Sequence, residues 1–328
     1  MRRIISILNL CILSTYLFSQ STSNNNYNYI NSAYYTKIAW AQLDYLKGNY
    51  NNAYDTLTIV ESIIPLLNSP EYIEMRIFAE LSLKYKNYEK AYEYIRILIS
   101  DYGYKLNDFD DYKNIKKLRR QKFYNSENLA LLEKEFCPDT VLVNEMEAML
   151  KNDQFFRILP TRKDTFPQEQ CSIEWQHPYS KQFDSIDSIN YVKLIKIIHE
   201  KGFPLSKHIK YTQSQQTDVF ISLLIVITHI SDSANVEKMK QILLENIKTG
   251  NCPPVMLANM IDRQCLSKRT KFIYGMYDNL TLQDIFDINN LDRRRAKIGL
   301  PPHKLSCEIR KFSLSKSFHK KTKLECDF

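Results

Sequence analysis

The sequence predicts an all-α protein, and three observations support this prediction. A pair of helix-like segments near the N-terminus repeats, so that Ala53 returns as Ala91 after 38 residues. Further along, Val219–Ile230 is an almost continuous apolar run, too short to span a bilayer but long enough for one buried helix. Helix stop and start signals follow it at Gly250 and Pro254.

Composition sets the limits within which these elements fold. The 328 residues exceed one average domain, and 44% hydrophobic with 25% charged residues is enough for a packed core. Only 6 residues are glycine, and neither GxGxxG nor GxxxxGK occurs. Phosphate-cradling glycine loops are therefore not expected.

The first twenty residues have the order of a secretory signal. Arg2 and Arg3 precede the mostly apolar stretch Ile4–Phe18, and the small residue Ser19 follows. The segment resembles secretory signals of Bacteroidetes-type bacteria, and we predict cleavage of residues 1–20 and export to the periplasm or the exterior. The alternative is a membrane anchor, for which the apolar stretch is short. No transmembrane segment is expected after removal of the signal.

The cysteines and the charges are interpreted in the light of export. Of seven cysteines, six remain once Cys11 is removed, and they could form disulfides or stay as buried thiols. No CxxC pair occurs, so a zinc site is not expected. No other metal and no cofactor are predicted. Basic residues cluster at 113–122 and in a predicted loose tail, residues 306–328. An exported protein rarely meets nucleic acid, so no nucleic-acid partner is predicted, and a solvated surface explains both clusters.

Residues 21–135 are predicted to form helical hairpins. The stretch Gly48-x-Tyr50-x-x-Ala53 matches the turn and second helix of the tetratricopeptide repeat, which this region resembles. The second copy departs from that repeat, with Lys86 in place of glycine. Two copies are fewer than a stable solenoid needs. The region is therefore expected to lean on the next domain or to contain a third helical pair at 105–135.

Helical hairpins of this kind bind peptides or partner proteins, or serve as spacers. The region is rich in tyrosine, which suits a binding surface where it is exposed. The tyrosines singled out are Tyr34, Tyr35, Tyr45, Tyr54, Tyr92 and Tyr94. We predict a protein or peptide partner for this region.

The second predicted domain, residues 136–305, carries scattered polar motifs. Asp153 and Arg157 lie four residues apart, which places them on one helix face. A proline-containing loop is predicted over 160–186. Asp187-x-x-Asn190 is expected to open an amphipathic helix over Tyr191–Lys201, with Asp187 or Ser188 as its cap.

Later motifs follow the apolar run. His229 ends the run, and Asp232 is expected to cap the next helix. Beyond it come Asp262-Arg263, Tyr274-Gly275 and Arg295 followed by Gly299-Leu300.

Taken in order, these motifs resemble a bacterial family known as domain of unknown function 6624. The resemblance covers about residues 140–305 and adds Gln154 to the set. One block departs from the family pattern, because Phe272, Met276 and Tyr277 stand where polar residues are usual. The family implies no reaction that could be carried over.

Two functional interpretations remain open. The candidate catalytic residues are His229, Asp262, Arg263 and Tyr274, and the candidate binding residues are Asp153, Arg157, Asn190, Asp232 and Arg295. These residue types suit a hydrolytic or group-transfer site that uses His229 as general base together with Asp262 and Arg263. They also suit a ligand-binding cleft, or a buried network in which the ion pairs Asp153–Arg157 and Asp262–Arg263 hold helices together, because no GxSxG or HExxH motif accompanies them. We expect a binding or interaction module, with an extracytoplasmic hydrolase as the alternative.

Overall fold

The computed structural model describes residues 27–68, 73–158, 180–206, 209–277 and 280–318. These ranges contain thirteen α-helices, and the only strand-like pairing among them is an isolated bridge between Phe272 and Ile285. The all-α prediction is therefore confirmed. The predicted signal, residues 1–20, and most of the predicted loop at 160–186 lie outside the described residues. Numbered α1 to α13, the helices are Tyr34–Lys47, Tyr50–Glu61, Glu74–Lys84, Tyr88–Tyr102, Ile115–Leu118, Ser126–Glu135, Thr140–Ile158, Ser180–Lys201, Gln213–Thr228, Ser233–Lys248, Pro254–Ser267, Leu291–Lys297 and His303–Phe318.

The 38-residue offset is visible in the backbone of the first four helices. Gly48 between α1 and α2, and Lys86 between α3 and α4, both adopt left-handed conformations, with φ of 84° and 64°. The amide of the next residue, Asn49 or Asn87, donates to the carbonyl five residues earlier at 2.8 Å in both copies. The sequence repeat is thus also a repeat of turn geometry, although one copy lacks the glycine.

Burial at the repeat positions is alike, with one exception. Ala53 and Ala91 are both fully buried, as close contact between paired helices requires. Trp40 is 51% exposed, whereas its equivalent Phe78 is 1% exposed. Whether these pairs belong to the tetratricopeptide repeat stays a prediction.

The six tyrosines singled out from the sequence lie within the packing of the N-terminal helices rather than on an exposed surface. Tyr34, Tyr35 and Tyr94 are buried, and the other three named tyrosines are half-buried. Several of these hydroxyl groups bond to neighbouring helices, for example Tyr45 to the Glu80 carboxylate at 2.7 Å. These tyrosines therefore hold the helices together and offer little surface to a partner.

The N-terminal helices lean on the C-terminal ones. The Tyr35 hydroxyl donates to the Ile247 carbonyl at 2.7 Å, and the Tyr29 amide donates to the Lys248 carbonyl at 2.9 Å, both at the end of α10. Within 105–135 the chain forms a short 3-10 turn, the four-residue α5, and α6, which packs against α4. A third long helix pair is therefore absent from this described segment.

The predicted loose basic tail is wrong for its first part. Residues 303–318 form α13, which packs against α1. Leu305 on α13 is buried with Ala39 and Leu43 of α1, and Ile309 and Phe312 pack beside them. Because these apolar residues recur at helical spacing, they form one face of α13, and that face packs on α1. Residues 319–328 of the predicted tail lie outside the described residues.

The second half is built around the apolar helix α9, which packs against α7, α8 and α11. It begins with a capping box between Thr212 and Gln215, ahead of the apolar run. Helix α8 begins at Ser180, ahead of both predicted caps, so Asp187 and Ser188 lie inside the helix and do not cap it. Among the described helices, none combines the length and apolarity needed to cross a bilayer.

Candidate functional site

Three helices bring four polar side chains together. Helix α7 supplies Asp153 and Arg157 from one face, as their spacing predicts, α8 supplies Asp187, and His229 caps the C-terminal end of α9. We call these four residues the His229 cluster. Its members come from positions up to 76 residues apart, so only the packing of α7, α8 and α9 assembles it.

The contact between His229 and Asp153 is the centre of the cluster. The imidazole Nδ1 lies 2.9 Å from each carboxylate oxygen of Asp153, which is 1% exposed. The side-chain amide Nε2 of Gln154 donates to the same carboxylate at 2.6 Å. An ionised Asp153 accepts the proton of Nδ1, so Nε2 carries the lone pair. No described residue hydrogen-bonds to Nε2, and the His229 side chain keeps 14% exposure.

Arg157 joins the two acids of the cluster. Its Nε lies 3.3 Å from Asp153, four residues earlier on α7, and its Nη2 pairs with Asp187 on α8. The guanidinium also lies over the ring of Phe183, 4.7 Å from the ring centroid. The predicted ion pair of Asp153 with Arg157 is therefore present, and it extends to a partner that the sequence did not indicate.

The two carboxyl groups differ in acidity. Burial raises the pKa of Asp153, but the hydrogen bond from His229 and the charges of His229 and Arg157 outweigh it, so the net pKa is lowered. Burial also raises the pKa of Asp187, and there the pairing with Arg157 does not fully compensate, so the net pKa is raised. Asp153 is thus the firmly ionised acid, as orientation of a histidine requires.

The cluster also has the donor types of a metal site. Asp153, Asp187 and His229 each offer one ligand atom, all within 4.8 Å of one another. The same carboxylates are already paired with Arg157. A cation would have to displace this guanidinium, so the donor set does not by itself favour a metal.

Asp262 belongs to a different structure, a clamp on the loop that follows α11. Its fully buried carboxylate accepts three backbone N–H bonds, from Ile273 and Tyr274 at 2.9 Å and from Met276 at 2.8 Å. The expected pairing with Arg263 does not form; Arg263 is half-buried and has no ion pair with a described residue. Burial raises the pKa of Asp262, although the three amides and Arg295 oppose it.

Arg295 holds the same loop from the other side. Its guanidinium is 2% exposed and donates to the Tyr274 carbonyl at 2.6 Å and the Pro301 carbonyl at 2.8 Å, with a third bond of 2.8 Å to the Ser306 hydroxyl. Gly275 lies in this loop with φ of 65°. The candidates Asp262, Tyr274 and Arg295 thus tie α11, the loop and α12 together.

The remaining candidates have local tasks. Asp232 caps α10 by accepting the Asn235 amide at 2.9 Å, as predicted. Asn190 is 2% exposed and donates to the Met149 carbonyl at 3.2 Å across the contact of α7 and α8. The helical spacing of Asp187 and Asn190 is the one sequence signal that would have placed Asp187 on the α7-facing side of α8.

Comparison of the chain with protein-family models, with curated proteins and with solved structures found no match. The resemblances to domain of unknown function 6624 and to the tetratricopeptide repeat therefore stay predictions.

Proposed function

We propose that the protein is an exported hydrolase or group-transfer enzyme in which His229 is the general base and Asp153 is its positioning residue. The observation that carries the proposal is the contact of Nδ1 with both oxygens of Asp153, which leaves Nε2 without a described partner. This is the relation between acid and base found in catalytic triads, where the carboxylate fixes the tautomer and stabilises the imidazolium.

The proton path follows from that geometry. Nε2 of His229 takes a proton from a water or hydroxyl of the substrate, and the positive charge that develops is balanced by Asp153. Arg157 and Gln154 hold the carboxylate in place, since both contact it. Asp262 and Arg263, which the sequence suggested as partners of His229, have no role in this proposal, because Asp262 is engaged by backbone amides.

The test is a panel of chromogenic esters, phosphoesters, peptide amides and glycosides, assayed with the wild type and with His229→Gln. We expect a substrate of the wild type to lose about a hundredfold or more in kcat in the variant, because glutamine cannot accept a proton near neutral pH. Asp153→Asn should lower kcat with little change in KM, since Asp153 orients the base without touching the substrate.

His199→Gln is the matched control, because His199 is an exposed histidine on α8, a helix of the same bundle. Circular dichroism confirms that each variant keeps its helices. Equal activity of the wild type and His229→Gln overturns the proposal. So does a wild type that turns over nothing in the panel yet co-purifies with a small molecule that His229→Gln does not retain, since that result identifies a binding site.

We infer export from the N-terminal sequence, and one feature of the folded chain supports it. Cys307 is disulfide-bonded, whereas Cys137, Cys252 and Cys265 are free. Disulfides persist in oxidising compartments, to which exported proteins belong. Cell fractionation with N-terminal sequencing tests the inference; a cytoplasmic protein that retains Met1 contradicts it.

We propose an interaction role for the N-terminal helix pairs as the second function. Three apolar side chains of this region are exposed to solvent. Trp40 on α1 is 51% exposed, Ile59 on α2 is 58% exposed, and Ile63, just after α2, is 55% exposed. Exposed apolar side chains of this size suit a protein or peptide contact. Crosslinking in the native host, comparing the wild type with Ile59→Asp, tests the role; identical crosslinked partners refute it.

A further inference from the structure

The segment 113–122, which we call the basic segment, is fixed to the body of the protein. Ile115 and Leu118 of α5 are buried, with exposures of 5% and 0%. The side-chain amide of Asn114 donates to the carbonyl of Leu83, the penultimate residue of α3, at 3.0 Å. The segment therefore presents its outer side in one orientation and does not behave as a free chain.

That outer side is strongly basic. The exposed basic residues of the segment are Lys113, Lys116, Lys117, Arg119, Arg120 and Lys122. Arg119 pairs with Asp110, whereas the other five form no ion pair with a described residue. Lys86, which is also exposed, lies three residues along the chain from Leu83, the residue to which Asn114 is bonded. The preceding turn contributes two further exposed acids, Asp108 and Asp111, so the cations remain in excess.

We propose that the basic segment binds the surface of an anionic phospholipid membrane. Lysines predominate over arginines, and lysine is a point charge without the planar fork that reads a defined phosphate or base. Anionic lipid surfaces attract clusters of four to eight basic residues, and every lysine or arginine near the surface adds to the attraction. Phe123 directly follows the segment and is 38% exposed, although its ring centroid lies 5.9 Å from that of Tyr92; partly exposed aromatic side chains of this kind anchor proteins at membrane interfaces.

The experiment is sedimentation of the full chain with vesicles made of equal parts phosphatidylglycerol and phosphatidylcholine, and with pure phosphatidylcholine vesicles. We expect binding to the anionic vesicles only, weakening as salt is raised to physiological strength. The combined variant Lys116→Glu, Lys117→Glu and Arg120→Glu should bind at least about tenfold more weakly. Phe123→Ser should weaken binding less, by a few fold.

The control carries the same change in net charge on another part of the surface: Lys193→Glu, Lys238→Glu and Lys268→Glu, all at exposed positions. It should bind anionic vesicles as the wild type does, apart from a small uniform loss. Equal losses in the two triple variants overturn the proposal, because only net charge would then matter. Binding to both vesicle types alike overturns it too, and so does tighter binding to single-stranded DNA that displaces the protein from vesicles.

Discussion

Glu74, the first residue of α3, is a buried acid whose ionisation should make the stability of the protein depend on pH. The carboxyl is 1% exposed and accepts a 2.6 Å hydrogen bond from the Tyr34 hydroxyl, while its second oxygen has no hydrogen-bond partner. The ionisable side chains that sense its charge include Tyr29, Tyr34 and Tyr102. Burial raises the pKa of Glu74 from 4.5 to about 8, against the opposing effect of the Tyr34 bond.

The shift determines how stability depends on pH. Between pH 4.5 and about 8 the folded state holds a proton on Glu74 that the unfolded state has released, so the free energy of unfolding falls as pH rises through this window. At pH 7 the unfolded chain has gained about 3 kcal/mol from this ionisation, and at pH 5 about 1 kcal/mol. Both values follow from the two pKa values and 1.36 kcal/mol per pKa unit.

Glu74→Gln keeps the shape and can still accept the Tyr34 bond, but it has no proton to lose. We expect the variant to gain about 2 kcal/mol more over the wild type at pH 7 than at pH 5, whatever constant offset the amide brings. Urea unfolding at the two pH values, followed by circular dichroism, measures this difference. Glu80→Gln is the control, because Glu80 also lies on α3 and accepts a hydrogen bond from a tyrosine, Tyr45, but is only half-buried. A gain that is the same at both pH values would refute the reasoning.

Two further predictions concern the clamp and the repeat. Asp262→Asn should destabilise the protein by about 3 kcal/mol, because the new NH2 group would face the Met276 backbone N–H, which donates to the carboxylate in the wild type. The control is Asp232→Asn at a helix N-cap, where Asp and Asn cap equally well, and it should cost little. Equal losses of unfolding free energy in urea would contradict the assignment. Lys86→Gly should stabilise by about 0.5 kcal/mol and Gly48→Lys should destabilise by about 1 kcal/mol, since both positions have positive φ and a Cβ at Gly48 meets nothing within 4 Å. Thermal melts of the two variants test this prediction. Melting temperatures that shift in the same direction would show that backbone strain at positive φ is not the cause.

The sequence by itself determined the helical class, the N-terminal pairing and several ends of helices. These features depend on residues close together in the chain: apolar spacing, the start of α11 at Pro254 and the cap at Asp232. It also marked the 38-residue repeat, including the position of Lys86. The left-handed conformation of Lys86 did not follow from its residue type. The turn between α3 and α4 imposes it, as the equivalent turn between α1 and α2 does on Gly48.

Only the tertiary structure divided the polar motifs into two groups. From the sequence, Asp153, His229 and Asp262 were equally plausible members of one site. Packing of α7 and α8 against α9 joins the first two, whereas Asp262 is bound by amides of its own loop. The placement of Asp187 against Arg157 was missed for the same reason, because it depends on α8 beginning at Ser180 and lying beside α7. Spacing within a helix shows which residues share a face, but it does not show which residues of a distant helix that face meets.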